Sequence, residues 1–299
     1  MRAEPDPYVV DWAQRAPELA AAAHNDRQWY EAMAGALLRP GDRVAVDVGC
    51  GAGGMTLTLA AALGPGGQVV AVDAERVVLD ALDRDLAERT ASAPPLARVD
   101  LVTADLGAGA QPIQETLAKP ADLIWASGSM HHVGDQQAGV DALAGLLAAG
   151  GRLALAEGGL AQMNLPWDLG VGQPGLEQRL HAANEHWFAE MRRRLPGSVR
   201  MPYGWPEALR RAGLAGVTTR STLLEQGPPL PEPARQHVVE RLRHWVERLD
   251  AAELVSADDL ATWRRLLDPA DPAWLGGRDD LFSLRVRSVH VGVRPPSAR

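Results

Sequence analysis

Apolar positions change their period along the chain, and the changes divide it. Residues 11–38 place Trp29, Met33, Ala36 and Leu37 at i, i+4, i+7 and i+8, the spacing of one helix face. Asn25 or Asp26 can cap the second part of that helix, and Pro40-Gly41 ends it. From residue 44 onward, short apolar runs alternate with helical stretches. Val44–Val48, Gln68–Val72, Val99–Thr103, Ala121–Ala126 and Arg152–Ala156 read as strands, and residues 55–63, 74–90 and 135–148 as helices between them. Strands separated in this way predict a parallel sheet covered on both faces.

The pattern shifts after Gly159. Residues 160–175 show no period and read as loop, and Leu176, Leu180, Ala183, Trp187 and Met191 then form the apolar stripe of a helix. Trp205-Pro206-Glu207 opens another helix, which Gly213 follows. Val217–Leu224 reads as a strand, Val238, Leu242, Trp245 and Leu249 as a helix, and Ser256 as the cap of a further one. Leu281–Val293 is a long alternating strand.

The first strand runs into Gly49-Cys50-Gly51-Ala52-Gly53-Gly54. Glycines at such a turn let the backbone bend sharply and approach a ligand closely. Gly49, Gly51 and Gly54 also satisfy the dinucleotide pattern GxGxxG, a weak signal by itself. Asp47 speaks against a dinucleotide, because a carboxylate aimed at this turn repels a pyrophosphate and suits an ammonium group. Asp73, about 20 residues beyond the glycines, is placed to accept two ribose hydroxyls. Asp105 ends the third strand, where an acid can take an adenine amino group. All three acids fall at carboxyl ends of parallel strands, the usual ligand crevice of such sheets.

VAVDVGCGAGG, VVAVDAE, VDLVTADL and ADLIWASGSMHHV together resemble the successive motifs of the class I S-adenosylmethionine-dependent methyltransferases. LLAAGGRLALAEGG resembles their turn into strand five, with Ala149 in place of the usual Pro. The resemblance covers residues 25–160 and extends through WPEALRRAGLAGVTTRS. It implies a Rossmann-like, doubly wound α/β fold. The mostly parallel seven-stranded sheet would have the order 3-2-1-4-5-7-6, with SLRVRSVHVGV as an antiparallel strand seven. It implies S-adenosyl-L-methionine as cofactor and S-adenosyl-L-homocysteine as product. Asp47, Gly49 and Gly51 would line the methionine end, Asp73 would hold the ribose, and Asp105 with Leu106 the adenine. Cys50, Ala74 and Ser127, in the same turns, complete the cofactor set. Two stretches are longer than the family pattern: residues 160–200, and about 50 residues between strands six and seven. The expected organisation is an N-terminal helical segment over 1–40 and a methyltransferase domain over 41–299. Helical cap insertions at about 160–200 and 231–275 would cover the acceptor.

His131 and His132 follow strand four, beside the expected position of the sulfonium methyl group. Methyl transfer to a hydroxyl needs a nearby base, and imidazole suits that task at neutral pH. Glu157, at the end of strand five, is a candidate to orient one of the histidines or to bind substrate. His181 and Glu185 have an i, i+4 spacing that mimics a metal pair, but no third ligand accompanies them. That group, with Asn184 and His186, reads as a solvated helix face, as does Arg192-Arg193-Arg194. No metal site is expected.

Composition narrows the function classes. The 299 residues are 46% hydrophobic, enough for one large α/β domain with insertions. The net charge of −8 lacks the basic footprint of a nucleic-acid enzyme. Ala126-Ser127-Gly128-Ser129 also stands where amino-methylating nucleic-acid enzymes carry an Asn/Asp-Pro-Pro-aromatic run. A single cysteine, Cys50, excludes an internal disulfide framework and any cysteine-based zinc site. No stretch has the length and apolarity of a membrane span, so a cytoplasmic enzyme without membrane or nucleic-acid partners is expected. A small-molecule acceptor is expected, with oxygen favoured over nitrogen or carbon, in natural-product tailoring. Oligomeric state is open, and a homodimer is compatible with this reading. Two alternatives stand beside it: a cyclisation or lyase reaction using the same cofactor, and a nicotinamide-dependent oxidoreduction.

Overall fold

The structure is a computed structural model that describes residues 6–90 and 96–296. Seven strands form one mixed sheet: β1 (Val44–Val48), β2 (Gln68–Asp73), β3 (Arg98–Thr103), β4 (Ala121–Ser127), β5 (Leu147–Met163), β6 (Ala215–Gln226) and β7 (Ser283–Val293). Their order is β3-β2-β1-β4-β5-β7-β6, the order implied by the family resemblance. The pairs β2–β3, β1–β2, β1–β4 and β4–β5 are parallel. Arg294, just past β7, donates to Gly151 and accepts from Gly150, so the end of β7 meets the start of β5 and the two run antiparallel.

Two compact units are woven from alternating segments. One comprises Asp11–Gly158, Pro196–Arg220 and Ser288–Arg299; the other comprises Met1–Val10, Gly159–Leu195 and Ser221–Arg287. In the first, every residue of the central strand β1 is buried. Val46, Val70, Ile124 and Leu153 from four neighbouring strands share a core with Val140 and Leu143 of helix α6 (Gln136–Leu146). Both faces of these strands are covered, which explains why their sequences are apolar runs rather than alternations. The helical region at 11–38 is two helices, α1 (Trp12–Asn25) and α2 (Arg27–Leu37), with the break at Asp26. Asp26 occupies the N-cap position of α2, but its side chain makes no capping bond. The remaining helices of this unit are α3 (Gly54–Leu63), α4 (Arg76–Thr90), the short α5 (Gln111–Thr116), which periodicity did not predict, and α8 (Trp205–Arg211).

The second unit has its own helical core. α7 (Leu176–Arg194), α9 (Glu232–Ala251) and α10 (Ala257–Leu266) bury Leu180, Trp187, Leu242, Leu249 and Trp263 among themselves. Truncating one of these leucines would cost about 2–5 kcal/mol. Ser256 caps α10 by accepting the amide of Asp259, as its sequence position predicts. Arg179 of α7 grips Asp259 of α10 through two bonds of 2.8 and 2.7 Å. The expected loop over 160–175 begins later than predicted, because β5 continues to Met163. Partners distant in sequence hold this extension: Gln162 donates to the Ser283 hydroxyl, and Phe282 donates to the carbonyl of Asn164. No helix among the described residues is long and apolar enough to cross a membrane.

Candidate active site

The glycine turn after β1 is shaped by what lies against it. Gly49 has a φ of 65°, and a Cβ there would collide with the Cβ of Ser129. Ser129 in turn donates its hydroxyl to the Val48 carbonyl at 3.0 Å, fastening the turn after β4 to the end of β1. Gly51 also has positive φ, at 53°, but open space lies over it. The two glycines therefore do different work. Gly49 permits a close approach between two strand ends, and Gly51 leaves the mouth of the turn uncovered.

The three carboxylates assigned to the cofactor stand in three different environments. Asp47 is buried in β1 and accepts the Thr56 hydroxyl at 2.6 Å. Burial, assisted by the nearby charge of Asp73 and opposed by the Thr56 hydrogen bond, pushes its carboxyl up to about 7. Asp73, at the end of β2, accepts the amide of Gly51 on Oδ2 and that of Glu75 on Oδ1, each at 3.0 Å. The Ala74 amide also favours its ionised form, yet burial dominates and raises its pKa. Asp105 is exposed and accepts the Gly107 amide at 2.8 Å, while its neighbour Leu106 is buried in the core. Ser127 ends β4, half-buried and in register with Ala156. Cys50 packs with Ala71, Leu79 and Leu82 behind the turn. Burial raises its thiol pKa well above the ordinary value, which favours the protonated thiol.

This donor set fits S-adenosylmethionine. Buried and half-buried carboxylates suit an ammonium group and vicinal hydroxyls, and no atom crowds the open side of Gly51. The same carboxylates oppose the pyrophosphate of a nicotinamide dinucleotide.

The second half of the site distinguishes the two histidines. A short 3₁₀ turn, Met130–His132, follows β4. Glu157, 4% exposed near the end of the parallel part of β5, reaches this turn with both oxygens. Its Oε1 accepts the amides of Ser129 and Met130 at 2.9 and 2.8 Å, and its Oε2 lies 2.9 Å from Nδ1 of His131. An ionised carboxylate only accepts, so Nδ1 of His131 carries the proton and Nε2 is the basic nitrogen of the neutral ring. His132 instead packs edge-on against Trp12 of α1, with ring centroids 5.0 Å apart, and tilts against His131 at 4.3 Å.

Other sequence candidates have contacts of their own. His181 approaches Glu177, at 4.0 Å, rather than Glu185. It is largely buried against Trp245, so it is not part of a solvated face. Asn184 accepts from Arg248 at 2.6 Å. Arg193 and Arg194 pair with Glu190, and Arg194 also pairs with Asp6. No group of three or more potential metal ligands occurs among the described residues. Thr56, the Ser129 and Met130 amides, and His290 were not singled out by sequence. Only Thr56 had a local signal, a hydroxyl in the first turn after the glycines.

Residues 46–153 match the family model of a methyltransferase domain. No curated protein sequence matches the chain. Among solved structures, the chain is similar to the YcgJ protein of Bacillus subtilis, at 18% identity over 92% of this chain and 100% of that one, with a TM-score of 0.47. It is also similar to phosphoethanolamine N-methyltransferase 2 of Haemonchus contortus, solved with phosphomonomethylethanolamine and S-adenosylhomocysteine. There the identity is 17% over 88% of this chain and 53% of that one, with a TM-score of 0.44. A third is a SAM-dependent O-methyltransferase of Thermotoga maritima, at 15% identity over 92% and 66%, with a TM-score of 0.43. All three scores lie below 0.5, so the fold assignment rests on the strand order of the chain itself.

Proposed function

We propose that this chain, whose residues 46–153 match a methyltransferase-domain model, is a class I, Rossmann-like S-adenosylmethionine-dependent methyltransferase and methylates an oxygen of a small-molecule acceptor with His131 as general base. The observation that carries the reading is the Glu157–His131 pair, anchored by two backbone amides beside the cofactor strands.

When bound, S-adenosylmethionine supplies an electrophilic methyl group. Asp47, Gly49 and Gly51 would line its methionine end, with the Cys50 side chain packed behind them, Asp73 with Ala74 would hold its ribose, Asp105 with Leu106 its adenine, and Ser127 would stand at the edge near the reacting centre. His131 takes the acceptor proton on Nε2. Glu157 fixes the tautomer that leaves Nε2 basic, and its charge offsets the imidazolium that forms. His132 and Trp12 form the wall beside this base. Alignment of acceptor and base lowers the barrier by removing the entropy of their encounter. The helical unit, with its separate core, is our candidate for acceptor selection, and we place the enzyme in natural-product tailoring.

The test is a screen of small phenols and hydroxylated metabolites with S-adenosylmethionine, read by mass spectrometry. A product heavier by one methylene, formed with S-adenosylhomocysteine and lost in H131A, supports the proposal. Turnover without S-adenosylhomocysteine would favour the cyclisation or lyase alternative, and methylation of amines alone would refute an oxygen acceptor.

A further inference from the structure

The Glu157 side chain orients His131, but its own backbone carbonyl is held by a residue 133 positions away. Nε2 of His290 lies 3.1 Å from the Glu157 carbonyl oxygen. A carbonyl can only accept, so Nε2 of His290 carries the proton. In the neutral ring Nδ1 is then an acceptor, and Oγ1 of Thr219 lies 2.8 Å from it. His290 sits on β7, Glu157 on β5 and Thr219 on β6, and β7 lies between the other two strands. One imidazole therefore ties both neighbouring strands at the level of Glu157. Burial of His290 lowers its pKa and favours the neutral form that this pattern requires.

We infer that His290 is a positioning residue: held by Thr219, it fixes the Glu157 backbone and, through the Glu157 carboxylate, the tautomer and orientation of His131. The chain Thr219–His290–Glu157–His131 crosses from β6 to the turn after β4. It contacts the reacting atoms only at its last member. The inference rests on His131 being the base for its kinetic consequence, but not for its structural one.

The experiment measures the His131 tautomer by ¹⁵N NMR of imidazole-labelled full-length protein, together with turnover. In the wild type the Nδ1–H form should dominate. H290F removes the donor to the Glu157 carbonyl, and T219V removes the partner of His290 while leaving the imidazole in place. Both should raise the Nε2–H form of His131 and lower kcat by about 5-fold or more, with KM for S-adenosylmethionine nearly unchanged. H290Q, whose amide can still donate to the carbonyl, should recover most of both. In an E157Q background, H290F should cost less than about 2-fold further, because the residue it acts through is already lost. An unchanged His131 tautomer in both H290F and T219V, at wild-type thermal stability, would overturn the inference. So would a full additional loss from H290F in E157Q. Failure of the base assignment has another signature: the tautomer shifts in H290F while turnover stays near wild type. That result upholds the positioning role and removes His131 from catalysis.

Discussion

Nδ1 of His131 and Oε2 of Glu157 stand 2.9 Å apart, and this contact separates two adjacent histidines that sequence leaves equivalent. H131A should lower turnover about 10²–10⁴-fold, the range for loss of a general base. H132A removes a ring packed on Trp12 and should cost less than about 10-fold by the same scale. Cofactor affinity should change little in either, because the carboxylates assigned to the cofactor lie on β1, β2 and after β3. Steady-state kinetics with calorimetry check this; equal losses in both variants would refute the assignment.

Asp47 makes the ligand-free protein sensitive to pH. Its folded carboxyl titrates at about 7, above the ordinary 3.8, so the folded state holds a proton that the unfolded state has released between those values. Its stabilising contribution is complete below 3.8 and is lost as pH rises through about 7. The melting temperature of the wild type should therefore fall relative to D47N between pH 5 and pH 8. An ammonium group beside Asp47 favours the ionised form, so S-adenosylmethionine should bind more tightly as pH rises through the same window. Calorimetry in buffers of different ionisation enthalpy should show proton release on binding.

Asp73 both organises the turn and faces the proposed ribose position. D73A should weaken S-adenosylhomocysteine binding by about 1–3 kcal/mol, the scale of hydrogen bonds whose buried partners are left unpaired. NAD should bind neither wild type nor variant. Titration of both ligands decides the matter, and tight NAD binding would contradict the cofactor assignment.

Gly49 and Gly51 provide a matched pair. G51A meets open space and should cost about 1–2 kcal/mol of stability from left-handed backbone alone. G49A adds a collision with Ser129 between two strand ends, so it should destabilise more and should also perturb the turn that carries His131. Urea unfolding of the two variants gives the comparison directly.

The helical unit is proposed to select the acceptor. Amide hydrogen exchange over residues 160–200 and 231–275 should slow when cofactor and acceptor bind together. Unchanged exchange in both stretches would remove that role from the unit.

Much of the sheet was legible because its signals are local. Val44–Val48 and Ala121–Ala126 are apolar runs that end where strands end, so the acids and histidines that follow them could be placed in one crevice. The resemblance then supplied the strand order, including β7 between β5 and β6. The extension of β5 to Met163 was not legible, since its partners near residue 283 leave no mark on its own period. Nor was the choice between His131 and His132, which depends on where Glu157 lands, 26 residues later. His290 lay furthest from reach: within β7 it reads as an ordinary alternating residue, and only the sheet brings it to Glu157.

The place of β7 in the sheet has a consequence for synthesis. A ribosome releases the chain amino-terminus first, so β1 to β5 can assemble while later segments are still being made. β6 cannot then join by pairing with β5, because that edge is kept for a strand made some 60 residues later. Until Ser283–Val293 emerges, β5 and β6 both present bare edges, the template on which chains pair wrongly with one another. The nascent protein is thus most exposed to aggregation just before β7 emerges. Slowing translation after residue 226 should increase its demand for chaperones.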